Sequence, residues 1–358
     1  MSNIVDFIIR LLSEAASAVR QVFKETHLLR DLHSIYAFYL SPEERSALQK
    51  MRPIKRSVYL ALWFFKSILN KLSTVRRILL IVALMLLIGP DTRPQPVPAF
   101  VLLFLILLLE LKDKLLADDE LRAGRAVQAA MRPKACPEIS GWDSFFYTRS
   151  ANHVGGDLID CVSQGNSVIF SIGDVSGKGL PAALMMAQLQ SAVHALAAQG
   201  KTQSPVELVA ALNRLCVRSG MRNTFASFIL LWVEPDSNRL RLVNAGHLPP
   251  LILSTSGLRE CGKGGPALGL SADFSYQEMI LELDKGDLLV LYTDGIPDAR
   301  NSNGIFYGEE RFFRLLGQAD CSWSARQLGE TIISAVNRFV DNAPQTDDIT
   351  LLILKRRE

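Results

Sequence analysis

Residues Ile169–Ala187 read IFSIGDVSGKGLPAALMMA, and this stretch decides the fold. It continues a β-rich run that begins at Val168 and ends at Ile172, meets Gly173-Asp174, and turns into an apolar helical pattern near Leu180. Pro181 suits the first turn of a helix, so Gly177 to Gly179 is the hinge between strand and helix. The spacing is G-x-x-x-G-K-G rather than G-x-x-x-x-G-K-[S/T], with Lys178 followed by glycine, and an NTP site is therefore rejected. What remains is Asp174, a carboxylate at a strand end beside glycines, where backbone can approach a ligand closely.

Working outward, three more acidic sites repeat that pattern. Asp157 closes V-G-G-D in VGGDLID, with Asp160 three residues on; Asp294 follows the β-rich run Leu288 to Tyr292; Asp347 and Asp348 open the run Ile349 to Leu354. Any one of these pairs is ordinary turn chemistry. Together, each tied to a strand, they describe carboxylates converging without His or Cys, which is a hard-cation site for Mg²⁺ or Mn²⁺ rather than zinc. Further β-rich runs lie at Phe225 to Val233, Leu240 to Val243, Leu251 to Leu253 and Met279 to Leu283, and helical stretches at Leu180 to Ala198, Val206 to Val217 and Ala325 to Val340. Strands in short-linked groups favour an α+β layered sandwich over a doubly wound sheet.

In order along the chain, VGGDLID, GDVSGKGLPAALMMA, VNAGHLPPLIL, LYTDGIPDARN and TDDITLLIL resemble the SpoIIE/RsbU-type branch of the metal-dependent (PPM, PP2C-like) serine/threonine protein phosphatases. The preceding DELRAGRAVQAAMRPKACPEISGWD resembles that family's regulatory helix and lead-in, so the likeness covers about residues 118–356. The resemblance implies a four-layer αββα sandwich with a two-metal centre at one edge of its sheets. It implies that Asp174 bridges two Mn²⁺ or Mg²⁺ ions with the Val175 carbonyl as a further ligand, that Asp157 binds the second ion, and that Asp294 and Asp347 complete the first site. Asp348 is the neighbour most easily confused with Asp347. The implied reaction is hydrolysis of phosphoserine or phosphothreonine on a regulatory protein of the anti-anti-sigma (STAS) type by a metal-activated water, without a covalent enzyme intermediate. Consistently, no cysteine sits in a nucleophile motif and no Ser, His and Asp set is suggested. The other reading is a catalytically silent, membrane-anchored scaffold that binds a phosphorylated partner.

Two histidines fall inside these motifs. His153 is near enough to Asp157 in sequence to be a proton-donor candidate, although a surface histidine is the commoner case, and His247 in NAGHLPP is expected to stabilise a strand end. The segment before VGGD departs from the family's Pro-Ala-Arg-Glu type stretch and reads Ser150-Ala151-Asn152-His153, so a basic group near the substrate phosphate is missing there.

A chain of 358 residues that is 49% hydrophobic is too long for one small domain and too apolar for a disordered tail. Its five cysteines, Cys136, Cys161, Cys216, Cys261 and Cys321, form no C-x-x-C pair, which argues against a disulfide framework and for a reducing compartment. Residues 1–77 carry a net charge of +7 and the remainder −4. Apolar runs at Ile78 to Gly89 and Ala99 to Leu111, joined by a Pro-rich turn and flanked by Lys71, Arg76, Arg77, Lys112 and Lys114, are each shorter than the roughly 20 residues that span a bilayer. They read as a transmembrane hairpin that borrows its flanking residues, or one that enters the membrane without fully crossing, with both termini and the catalytic domain cytoplasmic. The expected organisation is a basic helical region 1–77 whose first 23 residues are amphipathic, a membrane hairpin 78–111, a linker helix 112–134 where a homodimer would form, and a phosphatase domain 135–358. The basic excess is explained by anionic lipid rather than nucleic acid.

Overall fold

Unbroken apolar runs become strands buried on both faces in the computed structural model, which describes residues 40–49, 53–88, 96–200, 204–219 and 224–357. In β4 (Ala226–Val233), Phe228, Leu230 and Trp232 face one hydrophobic core while Ile229, Leu231 and Val233 face another. The same alternation governs β10 (Ile349–Arg356), where Leu351 and Ile353 oppose Leu352 and Leu354. An apolar stretch such as Phe228 to Val233 or Leu351 to Leu354 thus marks a strand that is covered on both sides, and the period of two sorts its residues between two cores.

Two five-stranded antiparallel sheets result. One has the order β2 (Asp157–Gln164), β3 (Ser167–Val175), β4, β5 (Arg239–Ala245), β8 (Met279–Glu282); the other has β1 (Trp142–Arg149), β10, β9 (Leu288–Tyr292), β6 (Leu251–Ser254), β7 (Gly257–Glu260). Phe170, Ile172, Ile229, Leu289, Leu291 and Leu352 fill the space between them. Helices α5 (Leu180–Ala198) and α6 (Pro205–Arg218) cover the first sheet through Met185, Leu189, Leu208 and Leu212. Helices α7 (Glu309–Gly317) and α8 (Ala325–Val340) cover the second through Phe312, Leu328 and Ile332. These are the layers of the expected α+β sandwich.

The hinge after Asp174 forms as expected. Gly179 caps α5 at φ 76°, a conformation costly for any residue with a Cβ, and Pro181 occupies the first helical turn. The runs that sequence reading missed are β1, β2, β7 and α7. Strand β2, DLIDCVSQ, hides because its polar Asp157 and Asp160 are buried, and α7, at nine residues, is too short to establish a helical period.

The chain divides into two units, 1–115 and 116–358. The first holds α1 (Pro42–Gln49), α2 (Pro53–Lys71), α3 (Thr74–Ile88) and the start of α4 (Pro96–Met131); the amphipathic segment expected at 1–23 lies outside the described residues. The second apolar run and the expected linker are one continuous helix, α4. Among the described residues no helix is long and apolar enough to cross a membrane, which corrects the expected transmembrane hairpin. Helix α3 has 15 residues, about 22 Å at 1.5 Å per residue against a hydrocarbon core of about 30 Å. The apolar part of α4 is closed by Glu110, Lys112 and Asp113. Two of the flanking arginines serve the hairpin itself: Arg76 pairs with Glu110 at 2.8 Å and with Asp113, and Arg77 donates to the carbonyls of Leu69 and Leu72 at the end of α2.

Candidate active site

Register brings the first two aspartates together. Asp157 at the start of β2 lies directly opposite Asp174 near the end of β3, and Asp174 lies opposite Ser227 of β4. Directly opposed residues of an antiparallel pair share a face. By parity with Ile172 and Ile229 that face looks toward the second sheet, where Thr293 and Thr350 wait. Asp157 is buried and its Oδ2 accepts a hydrogen bond from Thr293 Oγ1 at 2.9 Å, while Thr350 N donates to the same hydroxyl at 3.0 Å. The edge where the two sheets meet is therefore polar, and the remaining acidic residues arrive there on the loops after β9 and before β10.

Crowding is recorded in the acidity of these groups. Burial, then the nearby charge of Asp174, holds Asp157 well above the usual carboxylate range. Asp174 is pushed up to about 7, by burial first and then by Asp294 and Asp347. Asp294 is raised by burial and by Asp347, with Lys178 opposing. Three carboxylates that cannot all ionise comfortably are a place for cations.

The pair Asp347-Asp348 separates cleanly. Asp348 is buried, its Oδ1 accepting from Ala151 N at 2.7 Å and its Oδ2 from Gly156 N at 2.8 Å and Asp157 N at 3.4 Å, so it ties down the loop that carries Asp157. Asp347 is about half exposed and accepts from Lys178 Nζ at 3.0 Å, an ammonium that also donates to Thr346 O.

The donors fit a hard cation in kind: all are oxygens, and Gly156 leaves a cradle in which a Cβ would stand 3.0 Å from Val175 O and 3.3 Å from Asp174 Oδ1. The side chains as placed do not close on one point, and among the described residues no three His, Cys, Asp or Glu groups form a ligand cluster. Asp157 is turned to Thr293 and Asp347 to Lys178, which accounts for the open arrangement.

The histidines go elsewhere. His153 Nε2 sits 3.0 Å from Asp118 of α4, at the surface. His247 closes the turn after β5, as expected of a strand-end residue: its N donates to Asn244 Oδ1 and its O accepts from Asn244 Nδ2. Its Nδ1 is 2.8 Å from Ser227 Oγ, and complete burial pushes the imidazole down to about 4. Asp160 leaves the acidic cluster for His194, at 2.6 Å.

Sequence reading missed the groups that support the site. Gln128 of α4 exchanges two hydrogen bonds with the backbone of Gly155, at 2.8 and 3.0 Å, and Arg132 donates to Ser150 Oγ at 2.8 Å within reach of the charges of Asp348 and Asp157. A basic group thus does stand behind the VGGD loop, from outside that loop. Thr293 and Thr350 could have been suspected only as threonines flanking Asp294 and Asp348.

Two stacked antiparallel sheets, each backed by helices, with carboxylates gathered at their common edge, make up a PP2C-like α+β fold. The SiaA-PP2C domain of Pseudomonas aeruginosa superposes with a TM-score of 0.59 at 23% identity, covering 68% of this chain and 98% of that one. The model of the family described as Stage II sporulation protein E (SpoIIE) matches residues 164–357, and the chain belongs to that family. Phosphoserine phosphatase RsbU of Bacillus subtilis is 28% identical over 241 residues, 67% of this chain and 70% of RsbU. Protein IcfG of Synechocystis sp. is 26% identical over 265 residues, 66% of this chain, which spans only 41% of IcfG's length.

Proposed function

We propose that unit 116–358 is a metal-dependent protein phosphatase that hydrolyses phosphoserine or phosphothreonine on a regulatory protein of the anti-anti-sigma type. The observation that carries this reading is the carboxylate cluster of Asp157, Asp174 and Asp294 at the sheet edge, with Asp174 pushed up to about 7, in a chain of the SpoIIE family. The name of RsbU, a phosphoserine phosphatase, supports the substrate class.

Asp174, the Val175 carbonyl, Asp157, Asp294 and Asp347 would hold two Mn²⁺ or Mg²⁺ ions. When bound, such ions neutralise phosphoryl oxygens and lower the pKa of water. The chain's own part is positional: Thr293 orients Asp157, Asp348 fixes the loop bearing it, and Ser227, opposite Asp174 and held by His247, lines the cleft beside it. Purified full chain should release phosphate from a phosphoserine peptide with Mn²⁺ or Mg²⁺ and stop when chelator is added. Binding of the phosphopeptide without turnover under either metal would favour the scaffold reading.

The α3 and α4 hairpin is read as a membrane-surface element. Ile78, Met85, Val97, Phe100 and Leu107 are all more than half exposed, an apolar surface that water does not favour and a lipid interface does. The full chain should float with phosphatidylglycerol vesicles in a density gradient; recovery in the lipid-free fraction would overturn this placement.

A further inference from the structure

Beside the acidic cluster lies a cleft of about 440 Å³, with Asp174 and Asp294 contributing to its lining. Phe225, Leu248 and Pro249 give it an apolar wall, and Lys263, from the segment between β7 and β8, is the one Lys or Arg among the described residues that line it. The lysine's backbone is held in place from both ends. Cys261 N donates to Pro250 O at 2.8 Å, Gly265 N donates to Asn244 O at 2.9 Å, and Leu268 and Ala226 exchange two hydrogen bonds. Gly264 packs so closely that a Cβ would stand 2.2 Å from Asn244 O. Asn244 also closes the His247 turn on the opposite part of the lining, so one buried residue braces both.

The two lysines near the cluster differ in what they do. Lys178 is committed to Asp347 and Thr346. Lys263 is exposed and makes no hydrogen bond or ion pair among the described residues, although carboxylates line the same cleft. A cation held on a braced segment without a protein partner contributes nothing evident to the fold, and it meets any anion that enters the cleft.

We propose that Lys263 binds the phosphoryl group of the substrate. This rests on the phosphatase reading above. The cleft then takes a phosphorylated side chain with its charge between the acidic edge and Lys263, and the apolar wall takes the adjoining peptide. Lysine acts here as a point charge with three donors, which tolerates a range of phosphoester geometries.

The test uses the full chain with Mn²⁺, comparing wild type with Lys263→Ala and Lys263→Arg. Losing one charge-assisted hydrogen bond is expected to raise KM about tenfold for both p-nitrophenyl phosphate and a phosphoserine peptide, with kcat within about twofold and near-complete rescue by arginine. Inorganic phosphate binding, measured by calorimetry independently of turnover, should weaken by about the same factor. Unchanged KM and unchanged phosphate affinity in a Lys263→Ala protein of normal melting temperature would overturn the proposal. So would a KM effect confined to the peptide, which would make Lys263 a reader of flanking residues. A wild-type chain that binds phosphate through Lys263 but turns over neither ester would sink the phosphatase reading while leaving the contact intact.

Discussion

Asp174→Asn is expected to abolish metal-dependent phosphate release, by about 10³-fold or more, and at the same time to make the metal-free protein more stable at pH 8. The two effects have one cause. Asp174 faces Asp157 across the sheet and feels Asp294 and Asp347, so its negative charge is what a cation would use and what the empty fold must tolerate. Asparagine keeps the shape and removes the charge. A residue serving only the fold would show the opposite sign, with stability lost on substitution.

The pH dependence gives this prediction a second readout. Asp174 is pushed up to about 7, mainly by burial, whereas in the unfolded chain it titrates near its ordinary value of 3.8. Between those values the folded state holds a proton that the unfolded state has released, so stability is fully present below the unfolded value and falls as pH rises through the folded one. In chelator, the melting difference between Asp174→Asn and wild type should therefore be small at pH 4, grow through pH 5 and 6, and level off above 7. A three-unit shift corresponds to about 4 kcal/mol, and partial solvent access reduces this to on the order of 2 kcal/mol, or a few degrees in Tm. A difference that is flat from pH 4 to 8 would mean that Asp174 carries no such strain. The fully buried His247 titrates in the opposite sense in both proteins, and its contribution cancels in the comparison.

How far the sequence carried depended on burial. The strands covered on both faces, such as β4 and β10, announce themselves as apolar runs, and α5 was legible to the residue because the hinge at Gly177 to Gly179 marks its start. Strand β2 was not, because the residues it buries include Asp157 and Asp160, and a buried carboxylate looks like a loop residue to any pattern of hydrophobicity. Partners from distant segments left no trace: Thr293 lies 136 positions from Asp157, and Gln128 meets Gly155 only after the fold is made. Lys263 drew no reading from the sequence, because the bracing of its segment by Asn244 exists only in the fold. The hairpin was over-read for the converse reason. Its composition is that of a bilayer span, and that outweighed a length already short in the sequence; among the described residues α3 runs only from Thr74 to Ile88.

Asp347 and Asp348, adjacent and identical in kind, should answer substitution in opposite ways. Asp348→Ala is expected to destabilise the protein by about 3 kcal/mol, because it leaves the amides of Ala151, Gly156 and Asp157 without their buried acceptor. Asparagine at this position offers one oxygen where two are used, so it should recover only part of that loss. Activity should also fall, since the loop carrying Asp157 is released. Asp347→Asn, by contrast, gives up one exposed bridge to Lys178, a contact worth about 1 kcal/mol or less, and should leave the urea midpoint nearly unmoved while lowering kcat with Mn²⁺ about 100-fold or more. Urea titration and turnover measured on the same preparations separate the two roles. An Asp348→Ala protein with a wild-type midpoint and lost turnover would reverse the assignment, making Asp348 the residue that meets the cation and Asp347 its support.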